Sequence, residues 1–436
     1  MDEHVYNTQA GTQTATDYLI ASKRCETQDL EHFIALGELV ATISNLVHNL
    51  QRERGASNLY LASGGVQFVR ERQQLCCATD AAVNAFYSCL QRVESSIHRV
   101  QGGMRLFSRI AHLLHNLKDL TRVREQIVYR SVALEQATQH YNNLVQSLLA
   151  IVFETADAAI DPTISASLVA LFNFMQGKEL AGQERAAGAS GFARGYFDDG
   201  HIEHINHLMD GQQRCLEVFE NFADLECAQR WVDYQAQLPV TEIEQLRVQM
   251  TQKRAGDSWA GVNGRPRIKA DPELANRWFL LTTSRIDAMK EVEEGLSERL
   301  RELCKARLNE AHDQLKHHKT LIALLEQGAE LPSLSPLQSA SVHHSHVLAD
   351  KPAGRTLMEL LQFQAQRLQQ MSEELNAAKT ALDERKLIER AKLLLMKHRS
   401  LSEEQAHRLM RQMAMNQSRR LAEIARSVLE MADVWG

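Results

Sequence analysis

The stretch ISNLVHNLQRERGASNLYL, residues 43–61, carries a helical period and an anomaly at once. Ile43, Val47 and Leu50 recur at steps of four and three, and the same steps reach Arg54, Ser57 and Leu61. That spacing is the signature of an amphipathic α-helix, so Arg54 falls on the face meant for the core. Working outward, the first 161 residues contain no proline, which leaves long helices uninterrupted. The seven prolines stand at 162, 239, 266, 272, 332, 336 and 352. With 6% aromatic residues and no run of short alternating strands between turn signals, the chain reads as all-α.

Its 436 residues, 44% hydrophobic and 24% charged, suit more than one globular core. The punctuation divides them into an N-terminal segment, 1–28, and a region of antiparallel helical bundles, 29–327. That region reads as two four-helix-type bundles, about 29–160 and 161–327, the second interrupted near Gly195 to His201 and at Pro239. A Gly- and Pro-dense loop precedes Pro272, which opens a long helix to about residue 327. Residues 328–353 hold three prolines and little periodicity, as a linker does. Over 354–381, Leu357, Leu361, Leu368, Met371, Leu375 and Ala378, continuing to Leu382, follow a heptad-like seam that predicts a coiled-coil helix and a homodimer. A helix packed on its own domain is the competing reading of that seam.

Several function classes drop out. No phosphate loop, GxSxG or HExxH motif is present, and no acid–base pair stands out, so an enzyme is not expected. The seven cysteines are scattered without a CxxC pair, and His343, His344 and His346 sit in a loop-like stretch without partner ligands, so no metal or other cofactor is expected. The N-terminus lacks a signal peptide's basic start and apolar run, and no uninterrupted apolar stretch approaches membrane length. Those features point to the cytoplasm and away from a membrane partner.

Residues 382–436 read as three short helices around one small core. Leu387, Ile388, Ala391, Leu394 and Leu395 form the first stripe, Ala406, Leu409, Met410 and Met413 the second, and Leu421, Ile424, Ala425, Val428 and Leu429 the third. Ser402 with Gln405 fits a capping box for the second helix, and Asn416 is placed to cap the third. The outer faces carry Arg385, Lys386, Arg390, Lys392, Lys397, Arg399, Arg408, Arg411, Arg419 and Arg420. From 381 onward, 11 Lys and Arg face 8 Asp and Glu, on a chain whose net charge is −6. A small basic excess on an acidic body suits either a solvated face or a polyanion.

This segment resembles the ANTAR domain, a helical RNA-binding module of antitermination regulators. The likeness is carried by Ala381, Leu382, Arg385, Ile388, Glu389, Ala391 and Lys392, by Leu395, Met396, Leu401, Ser402, Glu403, Glu404 and Ala406, and by Ala414, Met415, Leu421 and Ala425. Leu393 departs from the family's usual Gly, and Gln405-Ala406-His407 from its usual aromatic position. The resemblance implies binding of hairpins in leader RNA, with the cations above clamping phosphates.

Arg54 is not alone. Leu171, Met175, Lys178 and Gly182 lead by helical steps to Arg185, and Ile243 and Met250 flank Arg247. The strings ERGAS at 53–57 and ERAAGAS at 184–190 suggest that two related bundles each present one arginine. Buried guanidinium is costly without a counter-charge. Each could meet a local carboxylate, Glu53, Glu184 or Glu244, or all could converge on a small anion, which suits a group that never loses its charge.

Residues from about 30 to 325 resemble the NIT domain, a helical nitrate- and nitrite-sensing domain, through LVHNLQRERGASNLYL at 46–61 and KELAGQERA at 178–186. The resemblance implies nitrate or nitrite as signal ligand, held by Arg54 and Arg185, then Arg247, with Arg52 last because it lies nearly opposite Arg54 on an ideal helix. Ligand binding is then expected to free the ANTAR faces for leader RNA and prevent termination. Two rivals remain at this stage, a signalling or scaffold protein that binds another protein through its C-terminus and a DNA-binding three-helix domain. The second lacks the usual Gly-bearing turn before a recognition helix, so no DNA partner is expected.

Overall fold

The computed structural model describes residues 15–97, 103–251, 272–326, 352–399, 401, 403–417 and 419–435. The regular elements among them are all helices. They run α1 (Ala15–Ala62), α2 (Val69–Ile97), α3 (Gly103–Leu117), α4 (Leu120–Val128), α5 (Leu134–Ala158), α6 (Pro162–Arg194) and α7 (Asp199–Phe222). Then follow α8 (Leu225–Gln237), α9 (Val240–Thr251), α10 (Pro272–Glu326), α11 (Pro352–Arg399), α12 (Glu403–Gln417) and α13 (Leu421–Trp435).

The boundaries follow local chemistry. Asp161 caps α6 by accepting from the amides of Thr163 (2.9 Å) and Ile164 (3.0 Å), and Pro162 fills the first turn, where no N–H partner is lost. Gly195, at φ 75°, closes the same helix in the left-handed conformation that glycine adopts without strain. Asp198 and Asp224 cap α7 and α8 through the amides of His201 and Cys227.

The stripe on α1 is buried as its period predicts: Leu36, Leu39, Val40, Ile43, Leu46, Val47 and Leu50 are fully enclosed. Each such side chain contributes about 1.5–3 kcal/mol of burial, and together they anchor the core. Helices α2, α5 and α10 pack on α1, while α5, α7, α10 and α11 pack on α6. Because α10 lies against both α1 and α6, one continuous core crosses the boundary between the two helix sets, from Leu30 to Leu382. A second cluster joins Phe192, Phe197, Ile243 and Trp278 where α6, α9 and α10 meet. At Gly188 an added Cβ would stand 2.3 Å from Trp278, so the close crossing of α6 and α10 depends on its absence.

One window of α1 is long and apolar enough to cross a membrane by length and composition, a property the unbroken-run criterion passed over. Its apolar residues serve the core instead.

The C-terminal part differs from expectation in two ways. Helix α11 is continuous from 352 to 399, and the far end of the expected coiled-coil seam, Ala378 and Leu382, is buried in this chain's own core. Leu368, earlier on the seam, is 59% exposed, and the side chains of Leu357 and Leu361 lie outside the described residues. Asn416 lies inside α12 rather than capping α13; the Arg419 amide bonds back to Ala414 (3.1 Å), closing α12, and α13 begins only at Leu421. Ser402, half of the expected capping box, lies outside the described residues, as do His343, His344 and His346. The three-helix core forms as read, around Ala391, Leu395, Ala406, Met410, Ile424, Ala425 and Val428.

Candidate functional sites: an arginine-lined cavity and a covered basic face

The stripe arginines are placed by close helix crossing. A Cβ on Gly182 of α6 would lie 3.0 Å from Arg54 Nη2, and one on Gly55 of α1 would lie 3.5 Å from Arg185 Nη2. Glycine at these two positions lets two guanidinium groups share one region between α1 and α6.

The partner of Arg54 is not the carboxylate next to it in sequence. Arg54, 3% exposed, pairs with Glu179 (Nη1–Oε1 2.5 Å, Nη2–Oε2 3.2 Å) and donates to Asn142. Glu53 instead takes a two-point bond from Arg124 (2.7 and 2.8 Å) and one from the Tyr141 hydroxyl (2.7 Å). Burial raises the Glu53 carboxyl, but the Arg124 bonds outweigh it and hold the group below its usual range. Lys178, fully buried, meets Glu293 at 2.6 Å.

Arg185 is the exception. No carboxylate lies within ion-pair distance of it among the described residues; it donates to Thr283 Oγ1 (2.8 Å) and lies over the Phe279 ring at 4.9 Å. Burial, and then the neighbouring charge of Arg54, push its pKa down to about 10. Here a counter-charge would be gained at low desolvation cost.

Arg185 lines a cavity of about 330 Å³ bounded by α1, α2, α6 and α10. Arg52 lines it too, together with His48, Gln51, Thr283 and Asp287. On this wall His48 Nδ1 and Gln51 Oε1 are buried and make no hydrogen bond among the described residues. His48 is kept neutral, its pKa pushed down to about 3 by burial and then by Lys178 and Lys290. The stripe argument did not reach Thr283 and Asp287, because polar residues one turn apart on a partly exposed helix carry no periodic signal.

Arg247 lies elsewhere. It holds Glu184 by two bonds of 2.7 Å and Glu244 by one of 2.6 Å, and it does not line the cavity. Of the two alternatives open for this residue, the structure displays the ion pair.

The second site is the basic face of the last three helices, part of which is engaged by the sensor helices. Arg408 bonds Glu203 of α7 (2.8 and 2.9 Å), Arg411 pairs with Asp210, and His407 meets His207 edge to face at 4.7 Å. Lys386 pairs with Asp157 (2.6 Å), and Arg385 lies 4.9 Å over the Phe172 ring. Lys392 is 6% exposed and joined to Glu389 and Glu403 at 2.8 Å, and Arg419 reaches Glu423 at 3.1 Å. Arg390, Lys397, Arg399 and Arg420 are exposed and make no ion pair among the described residues.

A profile described as nitrate and nitrite sensing, NIT, matches residues 45–301, more than half of the chain. The chain belongs to the nitrate- and nitrite-sensing family. In this NIT-family protein an ANTAR domain profile matches residues 376–429, which are the C-terminal helices with the basic face. The NIT-family chain is 36% identical over 432 residues to the nitrate regulatory protein of Klebsiella oxytoca, covering 98% of each. It also superposes on the structure of the NasR transcription antiterminator with a TM-score of 0.59 and 34% identity, covering 96% of this chain and 99% of that one. Both domains are regulatory or RNA-binding in kind, and among the described residues no group of three or more His, Cys, Asp or Glu could hold a metal ion.

Proposed function

We propose that this protein is a nitrate- or nitrite-responsive transcription antitermination regulator that binds leader RNA hairpins when the anion is bound. The observation that carries the reading is Arg185, half-buried without a carboxylate partner and facing a cavity it shares with Arg52. Arg185 is the primary ligand residue, donating a planar pair of N–H groups to a flat oxyanion. Arg52 contributes from the rim, and Arg54, held by Glu179 outside the lining, acts through its charge on Arg185. Arg247 acts at a distance, through its ion pair with Glu184, the residue before Arg185.

Without anion, Arg185 and Arg54 repel, and the sensor's Glu203, Asp210 and Asp157 hold Arg408, Arg411 and Lys386 away from RNA. Bound anion cancels the repulsion and favours a different seating of α6 on α1 and α10. It can act only through its differential affinity for the two states. Helix α6 also carries the seat of α11, and α7, packed on α6, carries Glu203 and Asp210, so the movement loosens the ANTAR domain. Arg385, Lys386, Arg408 and Arg411 then join the exposed Arg390, Lys397, Arg399 and Arg420 on RNA phosphates. The first half of α11, with Leu368 exposed, pairs two such chains in a homodimer.

The test is binding of a two-hairpin leader RNA by the full chain, with and without nitrate or nitrite, across a salt series. Tighter binding with anion, weakening steeply as salt rises, is the expected result. Binding that ignores both anions in the wild type, or capture of RNA that is insensitive to salt, would return the C-terminus to a protein-binding role. Loss of the response in Arg185→Ala assigns it to the cavity.

A further inference from the structure

We infer that Asp287 and Glu71, the two carboxylates lining the same cavity as Arg52 and Arg185, restrict it to singly charged anions. The inference rests on the anion-site reading above. Two guanidinium groups alone would favour sulfate or phosphate over nitrate, because attraction grows with ligand charge. The lining departs from that simple case: Glu71 of α2 and Asp287 of α10 share it with the arginines of α1 and α6.

The other charges nearby are already spoken for. Arg54 is paired with Glu179, Lys178 with Glu293, Lys290 with Glu293 and Glu294, and His48 is uncharged. What remains is two positive and two negative groups, a wall with no net charge. Asp287 forms no ion pair with Arg185 or Arg52 among the described residues, yet both arginines pull its pKa down across the gap. Partial desolvation and Glu291 push it up and prevail. A ligand in this cavity therefore meets the arginines and the carboxylate together.

In such a site short-range donors, Arg185 and Thr283 above all, do the holding, and one oxyanion face satisfies them. The cost of removing an ion from water rises with the square of its charge, and a wall of zero net charge cannot return it for a dianion. A monoanion is admitted and a dianion turned away.

Titration calorimetry on the full chain at fixed ionic strength tests this, with sodium nitrate and sodium sulfate as probes. Sulfate is chosen because it stays doubly charged throughout the accessible pH range. Wild type binds nitrate, and sulfate competes with it only weakly, at a Kd at least about a hundredfold higher, read by displacement of nitrate. Removing one facing charge changes the potential at the ligand, and a dianion feels that change twice. Asp287→Asn is thus expected to tighten nitrate about threefold and sulfate about tenfold, the second factor near the square of the first. Glu71→Gln follows the same rule from the other side, and both residues are exposed, so neither change burdens folding. Equal factors for the two ions, unchanged sulfate exclusion in both variants, nitrate lost on Asp287→Asn, or wild type that takes sulfate as readily as nitrate each overturn the inference and leave the nitrate site standing. Wild type that binds no nitrate removes the site itself.

Discussion

Replacing Glu203 with Gln and Asp210 with Asn in one chain should loosen the ANTAR domain without touching an RNA-facing residue. Both carboxylates belong to α7, and their partners Arg408 and Arg411 are 68% and 52% exposed at the side chain. Exposed pairs contribute roughly 0.2–1 kcal/mol each, so losing two costs the closed arrangement about 0.4–2 kcal/mol. That is about a twofold to thirtyfold change in the closed-to-open ratio. Where the closed form dominates, the apparent Kd for RNA is the intrinsic Kd divided by the fraction open, and the full factor appears in Kd measured without nitrate. At saturating nitrate the open form already dominates and the gain should vanish. Fluorescence anisotropy with a labelled two-hairpin RNA at fixed salt reads both conditions. A double variant whose Kd without nitrate stays within measurement error of wild type would mean that these pairs do not hold the domain closed. An equal gain in both conditions would mean that α7 repels RNA directly.

Arg185→Met removes a guanidinium that has no carboxylate partner while keeping most of its volume, so the thermal midpoint should hold or rise even as nitrate binding falls at least tenfold; calorimetry reads both. Glu179→Gln leaves Arg54 buried without its counter-charge and should lower unfolding free energy by about 3–5 kcal/mol in urea, with nitrate restoring part of the loss. His407 has its pKa pushed down to about 3 by burial, then by His207, Arg214, Lys392 and Arg411. A group whose folded pKa is depressed in this way, when it is a histidine, favours release of the buried neutral form at low pH. The docked arrangement keeps its full contribution above the free-histidine pKa of about 6.5 and loses it as pH falls below that value. RNA affinity without nitrate should therefore rise from pH 7.5 to pH 5.5, and His407→Gln should flatten that rise in the same anisotropy assay.

Sequence periodicity located Arg54 and Arg185 because helical steps count faces without knowing neighbours. It could not assign their partners. Glu53 sits about 100° around α1 from Arg54 and so meets Arg124 and Tyr141, while Glu179 reaches Arg54 across 125 residues. Arg247, on an equally apolar stripe, is held in ion pairs with Glu184 and Glu244, since stripe position reports burial and not the partner. Arg52, ranked low by its angle to Arg54, lines the cavity because α2 and α10 approach that flank of α1. The basic face was legible as a composition; that the sensor engages four of its ten cations was not, because Glu203, Asp210 and Asp157 look like any solvated acids until the tertiary fold brings them to α11 and α12.

The helix that carries Arg185 also carries Phe172, the ring beneath Arg385, thirteen residues earlier. At about 100° per residue the two side chains point some 140° apart around α6, and at 1.5 Å per residue they stand about 20 Å apart along it. A rigid rod so loaded transmits by rolling: a turn that draws one side chain toward α10 swings the other away from its seat. The phase between them is then as much a part of the device as either residue. Inserting one alanine between positions 172 and 185 would detune it by over a quarter turn, whereas inserting seven, close to two whole turns, would lengthen the rod and leave its timing almost intact.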